Sequence, residues 1–206
     1  NYTLTDTFQK SLPFLRGAIA LSEHLAKDLR RRWPGVPVDV VLMPFPNEPT
    51  FSMDLFLSGK KRLAQIGWYQ RNTQAIYQVP SVKNWTKIRL LQNTRRAWDQ
   101  MVKEKSPWRE RTIYSQTVTE RGYIPNNEYD ELLRSSVVMT EAFAASACCG
   151  VGDCISTATP ILCNRLPSFV EYLGEDYPGF IDSPLEIPDF LTDDHVERMH
   201  NYLLTM

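Results

Sequence analysis

The sequence predicts an α/β fold, with one open parallel sheet and helices on both faces. Three observations carry that reading. Short apolar, β-branched runs alternate with longer helix-like runs along most of the chain, and strands separated by helices of this length are joined by right-handed crossovers. The strand-like runs are apolar on both faces, as a covered parallel sheet requires. Several helix-like runs open on capping residues or on a first-turn proline.

In chain order, residues 17–22 (GAIALS) read as a buried strand. SEHLAKDLRRRW follows as a helix capped by Ser22, with Glu23 in its first turn and arginines in its last. VPVDVVLMPFP reads as a strand closed by prolines, and residues 46–59 as a connector with breakers at both ends. KRLAQIG and WTKIRLLQ read as strands, NTRRAWDQMVKE as a helix, and RTIYSQTV as a strand. NNEYDELLRS then gives a helix, SVVMTEAF a strand, GVGDCISTA a short helix and TPILCN a strand. LPSFVEYLG is a helix with Pro167 near its first turn, PGFID a last short strand, and TDDHVERMHNYLL a terminal helix. The expected organisation is a strand–helix–strand piece over 1–45, a linker over 46–59 and the sheet domain over 60–206.

The 206 residues suffice for one sizeable core or two small ones. A net charge of -1 gives no case for nucleic acid or a membrane surface. The run Arg30-Arg31-Arg32 reads as the solvated end of a helix, the alternative being a binding patch. No run approaches the roughly 20 apolar residues of a membrane span. The chain starts at Asn1 in mid-pattern, which points to a fragment of a longer protein. Its four cysteines, Cys148, Cys149, Cys154 and Cys163, have no metal-type spacing with the distant histidines. They are expected as reduced thiols, without a disulfide or a metal, in a cytoplasmic protein.

Ligands of an open parallel sheet bind outside the carboxyl ends of its strands. Gly67 closes the strand KRLAQIG, and Arg71, Asn72 and Thr73 follow where the next helix begins. Helix-start amides with an arginine make an anion site, and the guanidinium fork suits phosphate. The alternative is a surface loop with a solvated arginine. On the same edge, small residues crowd 144–152 ahead of Asp153, which opens a helix and either faces the loop or simply caps the helix. No G-x-G-x-x-G follows any strand, which weakens the case for an oxidoreductase.

The order IG…R, then GYIPNNEYDELLRSSVVMTEAF, then GDCISTATPILCNRLPSFVEYLG resembles the Rossmann-like donor-binding domain of B-type, double-Rossmann glycosyltransferases. It is most similar to the retaining, family-four-like enzymes. Residues 15–46 resemble the end of the acceptor-side domain. The resemblance implies a chain that binds a nucleotide-sugar and transfers the sugar to a glycan or other hydroxyl acceptor, with no metal or further cofactor. It implies that Gly67 and Arg71, with Asn72, grip the donor diphosphate, Arg71 being the catalytic electrostatic group. It also implies that Asp153 binds the ribose hydroxyls, that Thr159 and Pro160 shape the wall beside it, and that Tyr123 and Ile124 lie near the base. Members of that family commonly carry a glutamate eight residues before the ribose-binding acid and a lysine soon after the arginine. Here those places hold Ala145 and, until Lys83, no lysine. The alternative reading is therefore a degenerate, non-catalytic domain of this fold that serves as a scaffold or partner-binding module.

Overall fold

The computed structural model of the chain describes residues 6–43, 45–67, 70–90 and 118–206. They divide into two compact units, 1–44 and 45–206.

In the first unit, helix α1 (Asp6–Ser11) and a 3-10 turn (Leu12–Phe14) precede strand β1 (Ala18–Ala20). Helix α2 (Glu23–Arg32) leads to β2 (Val38–Val40), which pairs parallel with β1. Ser22 caps α2, its Oγ accepting the Leu25 amide at 3.1 Å. The three arginines end the helix. Arg31 and Arg32 pair with Asp28, and Arg30 pairs with Glu23 and donates to the Val38 carbonyl. That is the helix-end reading of the basic run, held in place by local ion pairs. Ala20, Ala26 and Val38 form a small core of their own.

In the second unit, residues 46–59, expected as a linker, contain helix α3 (Met53–Ser58). Ser52 caps it through the Leu55 amide, and Phe56 is fully buried against Phe51 and Trp85. The backbone before α3 is strapped down as well: Glu48 donates to Ser156, Thr50 and Phe51 to Thr157, and Ser52 to Arg134. Two breakers hid a helix of one and a half turns whose stability comes from packing rather than length.

The main sheet holds β3 (Lys61–Gln65), β4 (Trp85–Leu90), β5 (Val118–Arg121), β6 (Val137–Thr140), β7 (Ile161–Asn164) and β8 (Phe180–Ile181). Every pairing is parallel, and the order is β5-β4-β3-β6-β7-β8. Counted within the sheet this is the 3-2-1-4-5-6 arrangement of doubly wound folds, with its switch point between β3 and β6. Among the described residues, the helices between and after the strands are α4 (Ala75–Gln78), α5 (Asn126–Arg134), α6 (Cys149–Thr157), α7 (Pro167–Leu173), α8 (Ile187–Phe190) and α9 (Asp193–Leu204). All four residues of β6 are buried, so both of its faces are covered. Leu63 belongs to the large core. Its neighbour Ala64 packs on the other side with Ile88 and Leu132. Val196, Met199 and Leu203 recur at i, i+3 and i+7 on α9 and bury one stripe. Each such side chain contributes about 1.5–3 kcal/mol.

The helix expected over 93–104 lies outside the described residues, as does all but Val118 of the strand expected over 111–118. No helix among the described residues is long and apolar enough to cross a membrane.

Candidate functional site

A cavity of about 680 Å³ opens at the carboxyl edge of the sheet, at the switch point. That volume suits a small-molecule ligand. Its lining comes from the segments that follow successive strands: Ile66, Gly67 and Arg71 after β3, Leu90 at the end of β4, Gly122 to Ile124 after β5, and Thr140 closing β6. Asn126 and Tyr129 of α5, and Cys148 to Gly150 with Asp153 at the start of α6, complete it.

The turn after β3 is built around Arg71. Gly67 has φ +79, a left-handed conformation, and a Cβ there would stand 3.0 Å from Arg71 Nε. The glycine therefore both turns the chain and lets the guanidinium lie against it. Gln65, the buried last residue of β3, clamps the turn from below. Its Nε2 donates to the Asn72 carbonyl at 2.6 Å, and its Oε1 accepts the Ile76 amide at 3.0 Å. From the side, the segment after β6 holds the same turn through an antiparallel bridge between Arg71 and Ala142, with Asn72 N–H donating to the Glu141 carbonyl and Phe143 N–H to that of Gln70. The Arg71 guanidinium then reaches α6, where Nη2 donates to Cys148 Sγ at 2.7 Å. Burial pushes the Cys148 thiol up, against the pull of the Arg71 cation beside it.

Asp153 stands in the first turns of α6, half-buried, and its Oδ2 accepts the Tyr129 hydroxyl at 2.9 Å. Burial raises its carboxyl above the usual range, the Tyr129 bond opposes that, and Asp130 adds to the rise. The Tyr129 hydroxyl is itself pushed up, mainly by burial.

Of the expected site residues, Gly67, Arg71, Tyr123, Ile124 and Asp153 line this one cavity, although Arg71 and Asp153 stand 82 positions apart. Two do not line it. Asn72 is 1% exposed. Its Nδ2 donates to Glu141 Oε2 at 2.8 Å and its Oδ1 accepts the Gln74 amide, so it braces the turn instead of facing a ligand. Thr159 is 0% exposed, and its hydroxyl donates to the Leu133 carbonyl and meets that of Thr157. It precedes β7, which puts it at the amino end of a parallel strand, away from the ligand edge. Pro160 is buried beside it.

Tyr129, Thr140 and Leu90 line the cavity without having been named as site residues from the sequence, and Cys148, named there only as a thiol, lines it too. The carboxyl-edge rule applied to every strand would have found Leu90 and Thr140, which end β4 and β6. The four cysteines are free thiols, Cys149 exposed and the others buried. Among the described residues no three His, Cys, Asp or Glu side chains group so as to hold a metal ion.

No protein-family model matches this sequence, and no curated protein does. Solved structures do match, and they define the class of fold: the chain has the Rossmann-like α/β fold of the C-terminal domain of B-type glycosyltransferases. One is a variant of TarM from S. aureus in complex with fondaparinux, alpha-GlcNAc-glycerol and UDP. Its TM-score is 0.63 at 11% identity, over 95% of this chain and 41% of that one. A second is the pneumococcal O-GlcNAc transferase GtfA in complex with UDP and GlcNAc, with TM-score 0.62 at 8% identity, over 91% and 40%. A third is HepE of Anabaena in complex with UDP-glucose, with TM-score 0.60 at 11% identity, over 92% and 58%. The chain thus spans between two fifths and three fifths of the length of these structures.

Proposed function

We propose that this chain is the donor-binding half of a nucleotide-sugar glycosyltransferase that moves a sugar, with retention, to the hydroxyl of a glycan or other acceptor. The observation that carries the reading is the convergence of Gly67, Arg71, Tyr123, Ile124 and Asp153 on one switch-point cavity. Arg71 offers a cation to the donor diphosphate, and the first turn of α6 lines the same cavity, with its dipole favouring an anion there. Asp153 offers an acceptor oxygen to a ribose hydroxyl. Tyr123, an exposed residue of the cavity lining, offers a ring to the base.

In the reaction, charge grows on the diphosphate as the bond to the sugar breaks. Arg71 is fixed before the ligand arrives, by Gly67 beneath it and the Ala142 bridge beside it. A donor aimed in advance at developing charge costs little reorganisation. The departing diphosphate oxygen takes the acceptor proton, so this half of the enzyme needs no strong base of its own. The acceptor is held outside this domain. A cytoplasmic setting is part of the reading, supported by the four free thiols.

Two observations favour a second reading, a degenerate domain of this fold without transfer activity that serves as a scaffold or partner-binding module. Arg71 is the one cation among the described lining residues, and Ala145 stands where a glutamate is common. Titrating the purified chain with a panel of nucleoside diphosphates, UDP first, separates the two. Micromolar binding of one member supports donor binding, and silence across the panel supports the module.

A further inference from the structure

Three buried hydroxyls among the described residues have no hydrogen-bond partner within the protein: Ser136 Oγ, Thr140 Oγ1 and Ser168 Oγ. Such a group destabilises the fold unless something else satisfies it. Ser136 and Ser168 lie away from the cavity lining, whereas Thr140 is part of it. Thr140 is 2% exposed and is the last residue of β6, the strand beside the switch point.

The register places it more closely. Leu63 pairs with Val137, Ala64 with Val138 and Gln65 with Met139. One step further along these parallel strands sets Thr140 beside Ile66, immediately before the Gly67 turn on which Arg71 lies. Helix α6 closes the same spot from the other side, since a Cβ on Gly150 would stand 2.9 Å from Ile66 Cδ1. Thr140 therefore sits where the arginine turn and the start of a nine-residue helix converge. A threonine hydroxyl can rotate to donate, and the partner that suits an orphan donor in a cavity it shares with a guanidinium and a helix N-terminus is an anionic oxygen.

We propose that Thr140 is a ligand-binding residue whose hydroxyl donates to a phosphoryl oxygen of a bound nucleoside diphosphate, alongside Arg71. The assignment rests on the donor-binding reading above, and it adds a neutral hydroxyl donor to the arginine. It also accounts for a hydroxyl at a buried strand end where valine would fit as well. The group is retained at a cost to the free protein because the ligand completes it.

The test uses the whole chain and three proteins: wild type, Thr140→Val, and Ser168→Ala as a control that removes an orphan hydroxyl outside the cavity. Each is titrated with UDP, or with whichever panel diphosphate binds most tightly, and with the matching nucleoside, and each is melted without ligand. Thr140→Val should bind the diphosphate roughly 5- to 30-fold more weakly, the scale of one hydrogen bond. Its affinity for the nucleoside should not change, and its Tm should equal or exceed that of wild type. Ser168→Ala should leave both affinities untouched. Equal diphosphate affinity in wild type and Thr140→Val overturns the assignment while leaving donor binding standing. So does an equal loss in Ser168→Ala, or a fall of several degrees in the Tm of Thr140→Val, which would mean that the hydroxyl has a structural role. If wild type binds no diphosphate of the panel, the donor reading and the Thr140 assignment fall together.

Discussion

The turn after β3 and the loop after β5 line the same cavity and are built in opposite ways. The first is braced by three sets of bonds, one from β3 and two from the segment after β6. Gln65 holds it from the strand, Asn72 from the Glu141 side chain and carbonyl, and the Arg71–Ala142 bridge from the segment after β6. The second has one apolar anchor, Ile124, which packs against the small cluster of Ala64, Ile88 and Leu132. Its Tyr123 is 74% exposed. The end of the cavity that would meet fixed charge is preorganised, and the end that would meet a flat ring is open. Electrostatic donors gain most from being held before the ligand arrives. A stacking surface loses little by settling on contact.

That contrast predicts a steep gradient of mutational effects around one cavity. The largest belongs to Asn72→Ala. It removes two side-chain bonds in a buried position and should cost about 2–4 kcal/mol in denaturant unfolding. It should also release Arg71, so that diphosphate binding weakens in any protein that remains folded. A stability loss within experimental error would mean that the turn is not braced as described. Gly67→Ala comes next. Its left-handed backbone costs an L residue about 1–2 kcal/mol, and the new Cβ would press on Arg71 Nε. The same melt should register a smaller loss than for Asn72→Ala, and wild-type stability would contradict the positive φ. The smallest effect is expected at Tyr123→Ala, within about 0.5 kcal/mol of wild type in stability. A large loss there would show that the β5 loop is as rigid as its counterpart, and the comparison would fail.

The same contrast explains what was legible in the sequence. The sheet could be read because its inner strands β6 and β7 are short, nearly continuous apolar runs, whereas β4 buries Lys87 and Arg89 and β5 is polar and largely exposed. Gly67 and Arg71 could be placed at the cavity because the carboxyl end of a parallel strand is the ligand edge, and both residues line it. Asn72 and Thr159 misled for one reason. Their positions in the resemblance put them at a ligand, while the fold uses their polarity to satisfy its own buried groups, the Glu141 carboxylate and the Leu133 carbonyl. Nothing local in the sequence separates a polar residue that faces a cavity from one that faces the backbone of another segment. Helix α3 escaped because its six residues carry too little periodicity to register, and tertiary contacts at Phe56 stabilise it instead. Tyr129 could not be found at all without the packing of α5 beside α6, which brings its hydroxyl to Asp153.

The central claim is that Arg71 and Asp153 hold opposite ends of one ligand, and the most direct measurement is a pair of affinity losses. Arg71→Ala and Asp153→Asn are each titrated with a nucleoside diphosphate that wild type binds, and with its nucleoside. Arg71→Ala should lose about 1.5–3 kcal/mol on the diphosphate, the scale of a hydrogen bond from a charged group, and nothing on the nucleoside. Asp153→Asn should lose less, because the amide keeps one acceptor oxygen, and it should lose the same amount on both ligands. Unchanged diphosphate affinity in Arg71→Ala, or a loss in Asp153→Asn confined to the diphosphate, would contradict the account.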